Sequence, residues 1–146
     1  MRLSPQTHSE LESFFRHFLA DETIQLPKIE IYMRRGAGLV TRILGVDGIT
    51  IGRHIFIRPA KAKYNSNNHL TIGKNLLSHE VTHVLQYQKF GFIGFLAGYL
   101  KEYFAGLKRK KKWDALSRME AYFEISHEIE ARKAAAKFVE WYFAKR

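Results

Sequence analysis

Two histidines and a glutamate stand together in LLSHEVTHVLQYQ, Leu76 to Gln88. His79 and His83 are four apart, so a helix would place both imidazoles on one face, one turn apart. In that relation both rings can reach one ion at about 2.0–2.1 Å. Glu80 flanks the same face, close enough to touch a water on that ion without being a ligand. Leu77, Val81, Val84 and Leu85 take the other face and form a stripe suited to burial. This is the residue set of metal-assisted hydrolysis. The competing reading is a helix whose two histidines are solvated or hydrogen-bonded in a core, and the rest of the chain has to separate the two.

An open zinc site takes three protein ligands. The chain has no cysteine, so a third ligand must be His, Asp or Glu. SHEIEARKAA offers Glu128 and Glu130. From Glu128 one helical face runs through Ala131, Ala135, Phe138 and Tyr142, small residues and then aromatics. Glu130 shares its face with Ser126, Lys133 and Lys137, which favour water. A carboxylate on an apolar stripe is costly unless something pairs it, and a metal would pair it. Glu128 is therefore the expected third ligand beside His79 and His83, with Zn2+ as the expected ion.

These residues need elements to carry them. Gly73 and Gly91 bracket a helix over the motif. Upstream, Thr7 to Ala20 reads as an amphipathic helix through Leu11, Phe14, Phe15, Phe18 and Leu19, with Ser9 or Thr7 as its cap. Lys28 to Met33 alternates and predicts a strand, RRGAG a turn, and Leu39 to Leu44 a short helix. Ile49–Ile51 and His54–Ile57 predict two short strands around Gly52-Arg53, and Lys63 to His69 a polar loop. Downstream, a helix is expected from Phe92 to Leu107, the basic run as a connector, and one long helix or two from Ala115 to Ala144. The whole predicts one α+β domain over 1–146, a small sheet on a helical bundle, with the ion between the motif helix and the C-terminal helix.

Composition narrows the alternatives. Without cysteine there is no disulfide framework and no thiolate nucleophile. MRLSPQTHSELESFF has no apolar signal-peptide core. Phe90 to Leu100 is apolar, but Lys101 and Glu102 stop it short of the ~20 residues a bilayer span needs. A cytoplasmic setting is expected from these features. The net charge is +10, and the five cations of KRKKK, Lys108 to Lys112, equal half of it. That run suits nucleic-acid phosphates or an anionic membrane, although a loop of cations is usually just solvated. The aromatics of FGFIGFLAGYLKEYFAGL are assigned to core packing, with a membrane-surface role as the alternative. RRGAG lacks the fingerprint of a phosphate loop.

The pattern HEVTH with a downstream HEIEAR resembles the gluzincin branch of the zincin metallopeptidases. GITIGRHIFIRP, a polar loop and LLSHEVTHVLQYQ together resemble small bacterial zincin-like domains. The likeness spans roughly residues 40 to 135. It implies a zincin-like fold, zinc held by His79, His83 and Glu128, Glu80 as general base, and a strand whose edge holds an extended protein or peptide substrate. Many gluzincins carry an aspartate four residues after the ligand glutamate to orient a histidine. Here that position is Arg132, which leaves Glu124 as a possible replacement. Tyr122, Tyr87, His127 and His54 are, by residue type, candidates for stabilising an oxyanion. The expected function is zinc-dependent peptide-bond hydrolysis. The rival is a non-catalytic module of the same fold that binds a protein, nucleic acid or an anionic membrane.

Overall fold

The structure is a computed structural model and describes residues 1–33, 35–66 and 70–146. It opens with α1 (Pro5–Leu19). Ser4, not Ser9 or Thr7, caps this helix: its Oγ accepts the Thr7 N–H at 3.1 Å. Pro5 follows at the first helical position, where its missing N–H is harmless. Leu11, Phe14 and Phe15 on one face are buried.

Three short strands form one sheet: β1 (Glu30–Tyr32), β2 (Gly48–Ile51) and β3 (His54–Ile57), in the order β1-β3-β2. β1 runs parallel to β3, and β2 antiparallel to it. Period-two alternation sends Ile31, Ile55 and Ile57 into the core. Between β1 and β2, α2 (Arg35–Leu44) begins inside RRGAG, so that stretch is helical from Arg35 rather than a turn; Arg34 lies outside the described residues. The polar stretch after β3 is also more ordered than expected. After a 3-10 turn at Pro59–Lys61, β4 (Ala62–Tyr64) pairs antiparallel with β5 (Leu70–Ile72). Lys63 and Tyr64 of the expected loop are thus strand residues, and 67–69 lie outside the described residues.

The motif helix is α3 (Lys74–Phe90). Gly91 ends it at φ +73°, a conformation in which a side chain would be strained. α4 (Phe92–Lys110) follows directly. Of the basic run expected as a connector, Lys108 to Lys110 form the last turn of this helix and Lys111 caps it in the left-handed region, which leaves only Lys112 in the connection to the next helix. α5 (Ala115–Glu124) folds back on α4, where Ala121 meets Gly106. α6 (Ser126–Ala144) starts after a break at the buried Ile125.

α3 and α6 make the most extensive contact between elements. Val81 and Val84 of α3 and Ala134 and Phe138 of α6 join the sheet isoleucines and α1 phenylalanines in one core. Phe14 meets Phe138 edge-on at 5.1 Å. The protein is α+β, with most of its residues in helices. The core-packing role expected of α4 holds for Phe95 and Leu107 only in part of its length: Phe92, Ile93, Leu100 and Phe104 are exposed. None of the described helices is long and apolar enough to cross a membrane.

Candidate metal centre

His79 and His83 stand one turn apart on α3 with their rings nearly perpendicular, at 80°. Their Nε2 atoms are 3.2 Å apart. Glu128, in the first turn of α6, meets both: Oε2 lies 3.1 Å from His79 Nε2, and Oε1 3.1 Å from His83 Nε2. Two ligands of a tetrahedral ion at 2.0–2.1 Å would lie about 3.3 Å from each other. The spacings therefore match the ligand side of a small divalent cation. Among the described residues this is the one such cluster of three.

The state of Glu128 tests the fit. The carboxylate is buried. With protonated imidazoles opposite it, the contacts are ion pairs. Burial works to raise its pKa, and His79 and His83 more than offset that, holding it well below the usual carboxylate range. With neutral imidazoles that turn Nε2 lone pairs inward, nothing donates to Oε2, which has no hydrogen-bond partner of its own. A buried acceptor left in that state is costly. Three inward lone pairs around one point are satisfied by a cation.

Gln86 decides which tautomer a neutral His83 adopts. Its Nε2 donates to Glu130 Oε2 at 2.7 Å and to the His127 carbonyl at 3.1 Å, and both of those groups only accept. Its Oε1 must then face His83 Nδ1, at 2.8 Å, so Nδ1 donates and a neutral ring presents its Nε2 lone pair to the centre. Glu130 is exposed, as its helical face implies, and lies outside the cluster of three, yet through Gln86 it anchors the group that orients His83. Glu124, the expected replacement for a gluzincin aspartate, does not serve here: it is exposed and pairs with Lys110 and Arg109. Arg132 donates to the Phe123 carbonyl and lies over the Phe123 ring. Without an ion, burial favours neutral His83, but contact with Glu128 outweighs this and raises its pKa.

Glu80 sits beside the three and is 3% exposed. Its Oε2 accepts the Thr50 hydroxyl at 2.7 Å. Thr50 and Gly48 are alternate residues of β2, so both face α3. A Cβ at Gly48 would stand 2.5 Å from Glu80 Oε1, so the strand passes closer to the carboxylate than any side chain permits. Burial raises the Glu80 pKa against the pull of His83, His79 and the Thr50 hydroxyl. That direction makes the carboxylate a stronger proton acceptor.

α4 fixes the start of α6, and with it Glu128. No side chain of α6 or Ile125 caps that helix. Glu102 of α4 does so from outside, accepting the Ser126 N–H at 2.7 Å and hydroxyl at 2.6 Å. The positive end of the helix also favours both carboxylates. Tyr99, one turn before Glu102, donates its hydroxyl to Glu128 Oε1 at 2.8 Å. Burial, with the nearby carboxylate, pushes the Tyr99 and Tyr122 phenols well above their usual range. Tyr99 escaped the sequence reading. The signal was present: Phe95, Tyr99, Glu102 and Gly106 recur at helical spacing on the inner side of α4.

Of the other polar candidates, Tyr122 is brought to the Glu128 carboxylate. Tyr87 packs on Phe95 with ring centroids 4.1 Å apart, and burial raises its phenol to about 12. His127 lies against Phe95 and Phe90, and burial lowers its pKa. His54 is not at the site. It sits at the Ile51 end of the hairpin, opposite the Gly48 end, and bonds the Tyr32 hydroxyl at 3.1 Å.

The family model described as the eCIS core domain matches residues 2–91, more than half of the chain, and the protein belongs to that family. The matched part runs from α1 through α3 and holds His79, Glu80, His83 and Gln86; Glu128 and the hairpin of α4 and α5 lie beyond it. No curated protein and no solved structure matches the chain.

Proposed function

We propose that this member of the eCIS core domain family is a zinc-dependent hydrolase of peptide bonds, with His79, His83 and Glu128 as metal ligands and Glu80 as general base. The observation that carries the reading is the division of labour among four buried or nearly buried groups. Three converge at 3.1–3.2 Å with a carboxylate oxygen lacking a donor, while the fourth, Glu80, is held aside by Thr50. Two imidazoles and a glutamate match the ligand set of open hydrolytic zinc sites, and Glu80 beside them favours zinc over the iron(II) that two histidines and a carboxylate also hold. When bound, such an ion supplies Lewis acidity, bringing the pKa of a water towards ~7 and polarising a carbonyl.

The chain's own residues supply the rest. Gln86 keeps the His83 lone pair aimed inward. Glu80, with its pKa raised by burial, accepts a proton from the attacking water and delivers it to the leaving amine. The hydroxyl of Thr50 keeps the Glu80 carboxylate in one orientation. β2 pairs only with β3 among the described residues, so its other edge is free to take an extended peptide by strand addition. Tyr122, whose phenol is perturbed by the Glu128 carboxylate, is our candidate donor to a developing oxyanion, since the Tyr99 hydroxyl is already committed to Glu128.

A second reading is favoured by a specific observation: Glu80, His83 and Glu128 are each no more than 5% exposed. A cation in so enclosed a place would clip α3 to α6 without turnover. Glu80→Gln separates the two. On the hydrolase reading the variant folds and binds zinc like wild type but loses cleavage of an unfolded-protein or peptide library, by ~10²-fold or more. Equal cleavage by both proteins would overturn the assignment of Glu80. Full metal content with no cleavage by wild type under any condition would favour the clip.

A further inference from the structure

We infer that the hairpin of α4 and α5 is a membrane-surface anchor that lies on anionic lipid headgroups and buries an apolar stripe in the interface. The stripe runs along one face of α4: Ile93, Leu100 and Phe104 are 81%, 48% and 50% exposed and follow at seven and four residues. Trp113, 65% exposed in the turn, extends it, with its ring 6.3 Å from that of Phe104. α5 carries a second exposed stripe of Leu116, Met119 and Phe123. Side chains of this size scattered singly would mean nothing, but spaced along one helical face and continued by a tryptophan they form a patch with a function. Aromatic residues of this kind favour the boundary between headgroups and acyl chains.

Charge complementarity identifies the occupant. The stripe of α4 ends in the basic run. Lys110 is committed to Glu120 and Glu124, and Arg109 to Glu124. Lys108, Lys111 and Lys112 are exposed and make no ion pair among the described residues. Cations left free at one end of an apolar helical face are what an anionic bilayer recognises, combining apolar burial with attraction to headgroups. A protein partner would need only the stripe, and nucleic acid only the lysines. A bilayer uses both, and they are adjacent here. α4 is too interrupted to span, so the hairpin lies on the surface.

The test is flotation of the whole chain with phosphatidylcholine vesicles and with vesicles that also contain phosphatidylglycerol. Binding is expected to the mixed vesicles alone and to weaken as salt rises. Each free lysine near the surface is worth about fivefold in affinity, so Lys108→Ser, Lys111→Ser and Lys112→Ser together should weaken it about a hundredfold. Ile93→Ser with Phe104→Ser should abolish retention at high salt. These side chains are exposed, so circular dichroism should show both variants folded. Trp113 emission should shift to the blue on binding, and Trp113→Phe should remove that shift. Three results would overturn the inference. One is equal binding to both vesicle types or to neither. Another is a concentration-dependent dimer lost in the Ile93→Ser, Phe104→Ser variant, which would make the stripe an interface between copies. The last is binding to duplex DNA that depends on the lysines alone.

Discussion

Gly48→Ala perturbs Glu80 without touching a metal ligand. Gly48 has ordinary strand backbone, so alanine is allowed conformationally, and what is missing is room. Its Cβ would lie 2.5 Å from Glu80 Oε1, 2.9 Å from Cδ and 3.1 Å from Cγ. Ordinary contact begins at 3.4 Å, so Oε1 must retreat by 0.9 Å, the difference between 3.4 and 2.5. Glu80 cannot swing freely, because Oε2 is tied to Thr50 and the side chain is buried. A misplacement of about 1 Å at a catalytic group costs on the order of 10²-fold in rate. Overpacking of this kind costs about 1–3 kcal/mol in stability. For a chain of this length that is roughly 3–10 °C in melting temperature. The assay compares wild type and Gly48→Ala for zinc content by elemental analysis, melting by calorimetry and cleavage of a peptide library. Unchanged metal content with cleavage reduced about a hundredfold is expected. Shortening the acid in the Gly48→Ala, Glu80→Asp pair should recover stability but not cleavage. If Gly48→Ala cuts like wild type, Glu80 is not positioned by β2 as argued. If it loses metal, Glu80 belongs to the coordination of the ion and the division of labour proposed above is wrong.

Metal-loaded wild type should hold one zinc per chain; Glu128→Ala should lose it and Glu130→Ala should keep it, read by elemental analysis. The reverse pattern would sink the assignment of Glu128. Gln86→Ala should keep the fold but weaken zinc 10–100-fold, the usual effect of removing a partner that orients a ligand, in a competition titration with a chromophoric chelator. The effect of pH follows from the directions of the shifts. In the metal-free protein the raised His83 pKa contributes stability that is complete below about 6.5 and lost as pH rises through the folded value, whereas the lowered Glu128 pKa contributes above about 4.3 and is lost on acidification through its folded value. The ion instead requires deprotonated imidazole. The melting temperature lost to a chelator should therefore be larger at pH 8 than at pH 5.5, and an equal or inverted loss would contradict the ligand set. Glu102→Ala should cost about 1 kcal/mol by uncapping α6, measured by urea unfolding.

The sequence by itself determined the local elements and the half of the site that lies on one of them. The spacing of His79 and His83 and the apolar stripe through Val81 and Val84 follow from helical period alone, because a rigid backbone of known pitch needs no tertiary information. The same period separated Glu128 from Glu130, since Ala131, Ala135 and Phe138 had to be buried on the face of Glu128. RRGAG and the stretch after Pro59 depart from their local signals because glycine and asparagine weaken local preference, and there neighbouring strands and helices decide. What only the tertiary structure decided depends on residues far apart in sequence meeting. Glu102 caps a helix 24 residues away, Gln86 binds Glu130 at a separation of 44, and Gly48 makes room for Glu80. The exposure of Ile93, Leu100 and Phe104 was equally out of reach, since an apolar helical face reads the same whether the core covers it or nothing does. Periodicity shows that a helix has a face, but which surface that face meets is settled only when the other elements pack.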